Sequence, residues 1–244
     1  MMRGFNYAAA LTLCMSSGAC LTEGDISSAE QVRSDLEVEV EVEVEIDATK
    51  EVYRRIGTLN VYRFFDTVCD SGQCGGDHFE PEVSVDQFEG KARAIARAIQ
   101  SMDVDFVLLQ EVESTLCLDA IQERLGDEFS VAYLAELGTP ASSDVALLGK
   151  GELIKVELHR QDPIPLGEED TTTFTREFPE VHIQHEGRRL ILMPLHFRSK
   201  YYDNPEQRLA EAKAARLIAS SAAEMHPEAI VVLGGDVNDD IGSP

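Results

Sequence analysis

FVLLQE at Phe106–Glu111 is a short apolar run that ends in an amide and a carboxylate. The same design recurs at Ile56–Asn60, Leu190–His196 and Ile230–Asp236, where apolar residues are followed by a polar side chain. Such runs predict buried β-strands, and the ligands of open α/β sheets collect where strands end. Oxygen and nitrogen donors gathered there suit Mg2+ or Mn2+ and phosphate chemistry. We therefore expect a metal-dependent site at the strand ends.

Five motifs in this order resemble the endonuclease/exonuclease/phosphatase superfamily. They are Leu59–Val61, Leu109–Glu113, Ser143–Leu148, Pro194–Lys200 and Leu233–Asp239. One such motif arises by chance, whereas five in the family's order are far more specific. The resemblance covers Arg55–Pro244 and implies an α/β fold, the DNase I-like four-layer α/β/β/α sandwich. Pattern alone indicates only a single α/β or α+β domain.

The resemblance also implies a metal centre. Glu111 matches the family's metal-binding glutamate, and Asn60 matches an asparagine that binds metal or phosphate beside it. Asp236 matches the aspartate that binds metal or orients water. The implied cofactor is Mg2+, with Mn2+ or Ca2+ as alternatives.

The remaining predicted site residues contact phosphate in the family. Asn238 is implied as a phosphate contact, and His196 as the group that protonates the leaving oxygen, which an imidazole titrating near pH 6.5 can do. Arg176 resembles a phosphate-contacting arginine, with a surface ion pair as the alternative reading. Arg198 and Lys200 are placed to meet a second phosphate, in a run similar to that of secreted bacterial nucleases. Glu113, by contrast, is expected to be a solvated loop acid.

The N-terminus predicts export. One early cation, a short apolar stretch and small residues precede Cys20, which is a signal-peptide layout for residues 1–19. Cleavage after Ala19 fits ordinary secretion and also fits lipoprotein processing with Cys20 lipidated, so a bacterial outer-membrane or cell-surface lipoprotein and a secreted protein are both expected locations. Membrane attachment would then be through the lipid alone.

An acidic low-complexity linker is predicted over residues 20–52, ahead of a catalytic domain at 53–244. The linker contains a strict Glu-Val alternation, Leu36–Ile46, whose like charges oppose strand pairing and favour a solvated spacer. An edge strand and a Ca2+-binding ladder are the alternatives. The 244-residue chain carries a formal net charge of -24, which argues against tight DNA binding without excluding DNA cleavage. No stable protein partner is implied.

Export permits disulfides, and Cys69 and Cys74 flank a short loop with Ser and Gly, so a local disulfide is predicted, with free thiols as the alternative. Cys117 lies among apolar residues and is expected to be a buried thiol. Helix signals mark three segments: a capping-box pattern at Asp86 and Glu89, residues 115–125, and a helix from Asn204 to about Met225. Gly149–Gly151 suits a tight turn between strands 144–148 and 152–158.

The chain departs from the family pattern at its C-terminal end. Superfamily members finish with a further strand and a Ser-Asp-His or similar motif, which does not follow Asp236–Pro244. The predicted sandwich is therefore C-terminally incomplete, with an exposed apolar sheet edge, and the sequence is read as part of a longer protein or as a truncated product.

The sequence as a whole predicts an exported, divalent-metal-dependent phosphodiesterase that hydrolyses nucleic acid. The alternatives are a phosphatase or sphingomyelinase-like phospholipase of the same fold, acting on small or lipid phosphate esters, and a noncatalytic truncated lipoprotein.

Overall fold

The computed structural model describes residues 53–240, within one compact unit at Tyr53–Pro244. The predicted signal segment, Cys20 and the acidic linker lie outside the described residues. Ten strands and three α-helices occur in residues 53–240. The strands are β1 Ile56–Phe64, β2 Phe106–Val112, β3 Val131–Ala135, β4 Asp144–Gly149, β5 Glu152–Leu158, β6 Ile164–Leu166, β7 Asp170–Thr172, β8 Pro179–His185, β9 Arg188–His196 and β10 Ile230–Asp236; the helices are α1 Val85–Met102, α2 Thr115–Leu125 and α3 Pro205–Met225.

Two four-stranded sheets form the centre of the fold. Sheet 1 has the order β1-β2-β4-β3 and sheet 2 the order β10-β9-β8-β5, while β6 and β7 form a separate two-stranded ribbon. Most neighbours are antiparallel, but β1 is parallel to β2 and β10 is parallel to β9. Because parallel strands finish at the same edge, each sheet brings two strand ends together.

Three apolar clusters give the four layers. Helices α1 and α2 cover the outer face of sheet 1 through residues such as Phe88 and Ile121. Phe106 and Leu192 belong to the cluster between the two sheets. Helix α3 covers the outer face of sheet 2, where Met193 is buried. The order is helices, sheet, sheet, helix, which confirms the predicted α/β/β/α sandwich.

The helices begin and end close to the predicted positions, with one difference in capping. Helix α3 starts at Pro205, and the Asn204 side chain accepts a hydrogen bond from the Gln207 backbone N–H. The capping box of α1 uses Ser84 and Gln87, so the box predicted from Asp86 and Glu89 is wrong by two residues. A hydroxyl directly before the helix satisfies the first-turn N–H groups, and Asp86 becomes a first-turn acid instead. No helix within residues 53–240 is long and apolar enough to span a bilayer.

The turn at Gly149–Gly151 does not make a hairpin. Strand β4 lies in sheet 1 and β5 in sheet 2, where β5 pairs with β8. Two glycines flanking one residue resemble a hairpin turn in sequence, but here they carry the chain from one sheet to the other. The predicted β8–β9 hairpin does form, with His185 opposite Arg188.

The loop after β1 is fastened in two ways. A disulfide joins Cys69 to Cys74, the pairing that the short loop predicts. The buried Glu80 carboxylate then accepts hydrogen bonds from the backbone N–H groups of Asp70 and Ser71, at 2.7 and 2.8 Å. Cys117 on α2 is a free, fully buried thiol whose Sγ donates to the Phe64 carbonyl at 3.3 Å.

Candidate active site

The ends of β1, β2, β9 and β10 meet at one edge of the sandwich. The Asn60 amide nitrogen donates to Glu111 Oε1 at 3.0 Å and to Asp236 Oδ2 at 2.9 Å. His196 lies beside them, with Nε2 3.8 Å from Asp236 Oδ2. We refer to Asn60, Glu111, His196 and Asp236 as the strand-end cluster. The structure thus brings together four side chains that are up to 176 residues apart in sequence.

Asn60 holds the two carboxylates. Its Oδ1 accepts a hydrogen bond from the Tyr62 backbone N–H at 2.9 Å, which leaves the NH2 group facing Glu111 and Asp236. In this arrangement the side chain positions both acids and does not offer its carbonyl oxygen to a ligand. The metal-ligand role predicted for Asn60 needs a rotated amide.

An irregularity in β1 and β2 aims Glu111. Its backbone is left-handed, with a φ of 67°, and the β2 register shifts between Gln110 and Val112. Opposite it, Tyr62 and Arg63 also have positive φ, and the Arg63 N–H donates to Glu111 Oε2 at 2.8 Å. Positive φ in residues other than glycine is strained and concentrates at functional sites. The bulge turns the carboxylate to the sheet edge, although Glu111 lies within the strand and not after it.

Strands β9 and β10 align the second acid with the histidine. Asp236 is the register partner of His196, and Gly235 is the partner of Leu195. Gly235 has a φ of 150°, and a Cβ there would lie 2.0 Å from the Leu195 carbonyl oxygen. Only glycine lets the two strands approach this closely.

Asn238 fastens the loop that follows Asp236. Its backbone N–H donates to Asp236 Oδ1 at 2.8 Å, and its side-chain NH2 donates to the Phe197 carbonyl at 2.9 Å. Asp236 therefore accepts hydrogen bonds on both oxygens. The predicted phosphate contact at Asn238 is a proposal, and the contacts seen are with the chain itself.

Arg176 and Asp144 lie behind the cluster. Arg176 Nη1 donates to the Phe197 carbonyl at 3.0 Å and places its charge near Glu111, Asp236 and Asp144. The alternative interpretation of Arg176, a surface ion pair, is wrong, because its Nη1 donates to the His196 and Phe197 carbonyls and it forms no ion pair within residues 53–240. Asp144 lies in the Ser143–Leu148 motif, but no role in the site was predicted for it. It is buried and accepts a hydrogen bond from Ser142 Oγ at 2.7 Å. Its position as the first residue of a buried strand was the signal that could have identified it.

Burial and charge set the protonation of the cluster. Burial, reinforced by the positive charge of Arg176, lowers the pKa of His196 to about 4, so the ring is neutral at pH 7. This overturns the expectation of an unperturbed imidazole. Burial opposes ionisation of Asp236, but hydrogen bonds from Asn60 and Asn238 and the nearby positive groups outweigh it, and the pKa of Asp236 is lowered. Desolvation raises the pKa of Asp144 to about 6.

The Lys200 side chain and the Arg198 backbone are held by acidic side chains of the chain itself. Lys200 Nζ lies 2.9 Å from Asp239 Oδ1 and 3.1 Å from Asp240 Oδ2. The Arg198 backbone N–H donates to the buried Glu211 carboxylate at 2.8 Å. Both residues lie within four positions after His196, so they lie at the same sheet edge.

Glu113 is not a solvated loop acid, as its sequence position suggested. It is 5% exposed, and its Oε2 accepts the Asp66 backbone N–H at 2.7 Å. Asp66 in turn accepts from Ser114 Oγ at 2.7 Å. Burial raises the pKa of Glu113 to about 7. Glu113 thus braces the loop after β1 against the end of β2, two residues from Glu111.

The donor set of the cluster fits a hard divalent cation. Two carboxylates, from Glu111 and Asp236, converge on the single amide nitrogen of Asn60. Carboxylate oxygens are the ligands that Mg2+ and Mn2+ prefer, and two of them facing one neutral donor leave negative charge to be balanced. Glu111 and Asp236 are the residues that would hold the ion.

No family model and no curated protein sequence matches the chain. Solved structures do match: TDP2 from Caenorhabditis elegans has a TM-score of 0.50 at 20% identity, covering 65% of this chain and 44% of that chain. The beta-hairpin deletion mutant of beta toxin from Staphylococcus aureus has a TM-score of 0.52 at 16% identity, covering 80% and 70%. Sphingomyelinase C from Streptomyces griseocarneus matches at 0.48 and 21%, covering 64% and 59%. The chain therefore spans less than half of the nematode chain that it matches.

Proposed function

Because this chain has the DNase I-like fold of the endonuclease/exonuclease/phosphatase superfamily, we propose that it is an exported, divalent-metal-dependent phosphodiesterase acting on nucleic acid. The observation that carries the proposal is the meeting of Glu111 and Asp236 on the Asn60 amide beside His196. Phosphodiester hydrolysis needs charge neutralisation, an activated water and groups that position the phosphate, and the strand-end cluster supplies candidates for each.

The metal-holding role falls to Glu111 and Asp236. When bound, a divalent ion would neutralise charge on the phosphate and lower the pKa of a coordinated water. Asn60 keeps the two carboxylates at a fixed separation through its paired hydrogen bonds. The pKa of Asp236 is lowered by the hydrogen bonds from Asn60 and Asn238, so this carboxylate stays ionised, which suits a group that orients water.

His196 and Arg176 supply the phosphate-facing side. A neutral imidazole with Nε2 near Asp236 can donate a hydrogen bond to a phosphate oxygen. The negative charge of a bound phosphodiester would raise the pKa of His196 again, which allows it to protonate the leaving oxygen. Arg176 is held by the Phe197 carbonyl, and its charge acts on both Glu111 and Asp236.

We infer export of the protein to a bacterial cell surface, or its secretion, from the signal layout of residues 1–19 and from Cys20 as a lipidation site. The disulfide between Cys69 and Cys74 is consistent with an oxidising compartment.

A second candidate, hydrolysis of small or lipid phosphate esters, is favoured by the net charge of -24. An acidic protein repels long polyanions, whereas a single phosphate or a zwitterionic headgroup is affected less. A nucleic-acid substrate would depend on local positive charge, which Arg176 provides near the carboxylates, whereas Lys200 is already paired with Asp239 and Asp240.

The test is an activity comparison on the full chain, freed of metal and then given Mg2+ or Mn2+. Three substrates separate the candidates: supercoiled plasmid, a soluble phosphate monoester and sphingomyelin vesicles. Nicking of plasmid that requires metal, without release of phosphate from the monoester, supports the nuclease. Turnover of vesicles or monoester alone supports the second candidate.

Variants make the result specific to the strand-end cluster. Glu111→Gln should abolish the activity, and His78→Gln, at an exposed histidine in another loop, should leave it unchanged. Activity that survives Glu111→Gln, or that needs no divalent ion, would contradict the proposal. A folded chain that hydrolyses none of the three substrates supports the noncatalytic reading.

A further inference from the structure

A second group of metal-binding side chains lies on the outer face of sheet 2. Glu157, Glu180 and His182 place ligand atoms within 4.8 Å of one another. His159 joins them, with Nε2 3.4 Å from Glu180 Oε2, while His182 Nε2 lies 2.7 Å from Glu180 Oε1. We refer to Glu157, His159, Glu180 and His182 as the β5–β8 cluster.

The sheet register explains why these residues meet. Strands β5 and β8 are antiparallel, and Glu157 is directly opposite Glu180. Alternate residues of a strand share a face, so His182 lies on the same side as Glu180, while Val181 and Ile183 face the core between the sheets. His159 follows the end of β5, and its N–H donates to the Phe178 carbonyl at 3.1 Å. The two strands thus direct Glu157, Glu180 and His182 to one place, and the following turn brings His159 against Glu180.

The hydrogen bond of His159 Nδ1 to Asp162 leaves the Nε2 lone pair of the neutral ring facing the Glu180 carboxylate. Its Nδ1 lies 2.8 Å from Asp162 Oδ2, a contact that requires the proton to be on Nδ1. In the neutral ring, Nε2 then carries a lone pair, and that buried atom forms no hydrogen bond with any residue between 53 and 240. It faces the Glu180 carboxylate, which is itself an acceptor. A histidine whose other nitrogen is held by a carboxylate is the usual arrangement of a metal ligand.

We propose that the β5–β8 cluster is a binding site for Zn2+ or a similar imidazole-preferring divalent ion. Glu157, Glu180 and His182, whose ligand atoms lie within 4.8 Å of one another, are the first three ligands, and His159 Nε2, 3.4 Å from Glu180 Oε2, completes the set. Two imidazoles and two carboxylates match the mixed nitrogen and oxygen donors that zinc takes, whereas Mg2+ and Ca2+ prefer oxygen alone.

Two residues of the site, Glu180 and His182, are shielded from water, whereas Glu157 lies at its exposed side. The His182 side chain is 0% exposed and Glu180 is 4% exposed, and His226 at the end of α3 packs edge-on against His182 with ring centroids 5.3 Å apart. The competing cation is the Lys155 ammonium, which pairs with Glu157. Lys155 is 45% exposed, so it can swing away into water when an ion binds. A closed site with four protein donors is structural in character, and it would tie β5, the edge strand of sheet 2, to β8.

The site is separate from the strand-end cluster. His182 pairs with Ile191 on β9, and His196 lies five residues further along that strand, about 17 Å away at the usual rise per residue. Substitutions in one cluster therefore leave the ligands of the other in place.

Zinc titration of the metal-free full chain by calorimetry tests the proposal. We expect one Zn2+ equivalent that millimolar Mg2+ does not displace, together with a rise in the unfolding temperature. His159→Gln should weaken that equivalent by at least tenfold, and Glu157→Gln, at an exposed position that does not threaten folding, should weaken it less. Asp162→Asn should also weaken it, because Asp162 fixes the ring of His159.

Two controls separate this site from other zinc ligands. His78→Gln changes an exposed histidine elsewhere, and Glu111→Gln removes a strand-end carboxylate; both should keep the equivalent that His159→Gln loses. Co2+ in place of Zn2+ reports the ligand set by its visible absorption, which should change in His159→Gln. Titrations of His159→Gln and Glu157→Gln that match the unsubstituted chain in stoichiometry and affinity would overturn the proposal, as would loss of the equivalent in Glu111→Gln.

Discussion

The strand-end cluster and the β5–β8 cluster both pair a buried histidine of sheet 2 with a carboxylate, yet their surroundings differ. In the first, His196 and Asp236 are the last register pair of β9 and β10, and the Asp236 side chain is 31% exposed. In the second, His182 lies in the middle of β8 and is closed over by α3 and His226. Strand ends leave room for a solute of molecular size, whereas a strand face under a helix leaves room for an ion.

The comparison leads to a division of roles. Substitutions in the strand-end cluster should lower the rate of hydrolysis and change stability little, because the side chains there are held for chemistry. Substitutions in the β5–β8 cluster should change ion binding and stability and leave the rate unchanged.

The largest expected effect is that of Asp236→Asn. The amide keeps the size of the side chain and removes the charge that a divalent ion and the attacking water need, so the rate should fall by about 10^3-fold. Steady-state hydrolysis of the substrate that the unsubstituted chain cleaves measures this. Asp127→Asn, at an exposed acid in a loop that follows α2, is the matched control and should retain the rate. Equal losses in the two variants would show that general acidity, and not this carboxylate, matters.

Arg176→Gln should have the next largest effect. The guanidinium places positive charge near both carboxylates, and its removal should lower the rate by about 10^2-fold. Without that charge the pKa of His196 should also rise, because Arg176 is one of the two causes that lower it. NMR titration of the His196 ring measures the pKa, and a value unchanged by the substitution would show that burial alone sets it.

Asp144→Asn, beside the strand-end cluster, distinguishes an effect on stability from an effect on the rate of hydrolysis. The folded-state pKa of Asp144 is raised from 3.8 to about 6, so the folded protein binds the proton more tightly than the unfolded chain. The contribution of this group to stability therefore falls as pH rises through the window from about 4 to 6 and stays low above it. At pH 7.5 the Asn variant should be more stable than the unsubstituted chain by about 1–3 kcal/mol, and at pH 4 nearly equal to it.

Urea unfolding at the two pH values measures that difference. Groups common to both proteins cancel in the comparison, so the pH dependence of the difference belongs to Asp144. A difference that stays constant between pH 4 and 7.5 would show that the carboxyl titrates normally. A variant that is more stable but hydrolyses more slowly would show that the buried charge is maintained for the reaction.

The smallest effect that we expect is that of the Cys69→Ser and Cys74→Ser double substitution. Removing a crosslink across a loop this short should lower the free energy of unfolding by about 2 kcal/mol. The Glu80 carboxylate still holds the loop, so the rate of hydrolysis should change less than twofold. Reduction of the unsubstituted chain should reproduce the stability loss. A large loss of rate would show that this loop also contributes to hydrolysis.

The sequence predicted most of the strand-end cluster because apolar runs and polar termini are local features. Glu111 and Asp236 were identified from such runs, and the structure brings them together through Asn60. The bulge at Glu111 was not predicted, since a left-handed residue inside a strand depends on the partner strand. The neutral state of His196 was missed for a similar reason: its pKa depends on burial and on Arg176, which is 20 residues away in sequence.

Glu113 and the β5–β8 cluster show more clearly which contacts the sequence does not predict. Glu113 has no local signal of burial, and only the fold reveals that the Asp66 backbone meets it. His159 and His182 gave no motif, because their proximity arises from the antiparallel register of β5 and β8 and not from their spacing. Side chains that meet across strands are predictable only once the pairing is known.

Cys117 offers a way to time the opening of the molecule. Burial raises the pKa of this thiol to about 12, so almost none of it is thiolate at neutral pH while α2 is docked. A thiol reagent in excess can therefore modify Cys117 only during the moments when α2 moves off sheet 1. The labelling rate of the peptide that contains Cys117, followed by mass spectrometry, therefore reports how often α2 separates from sheet 1.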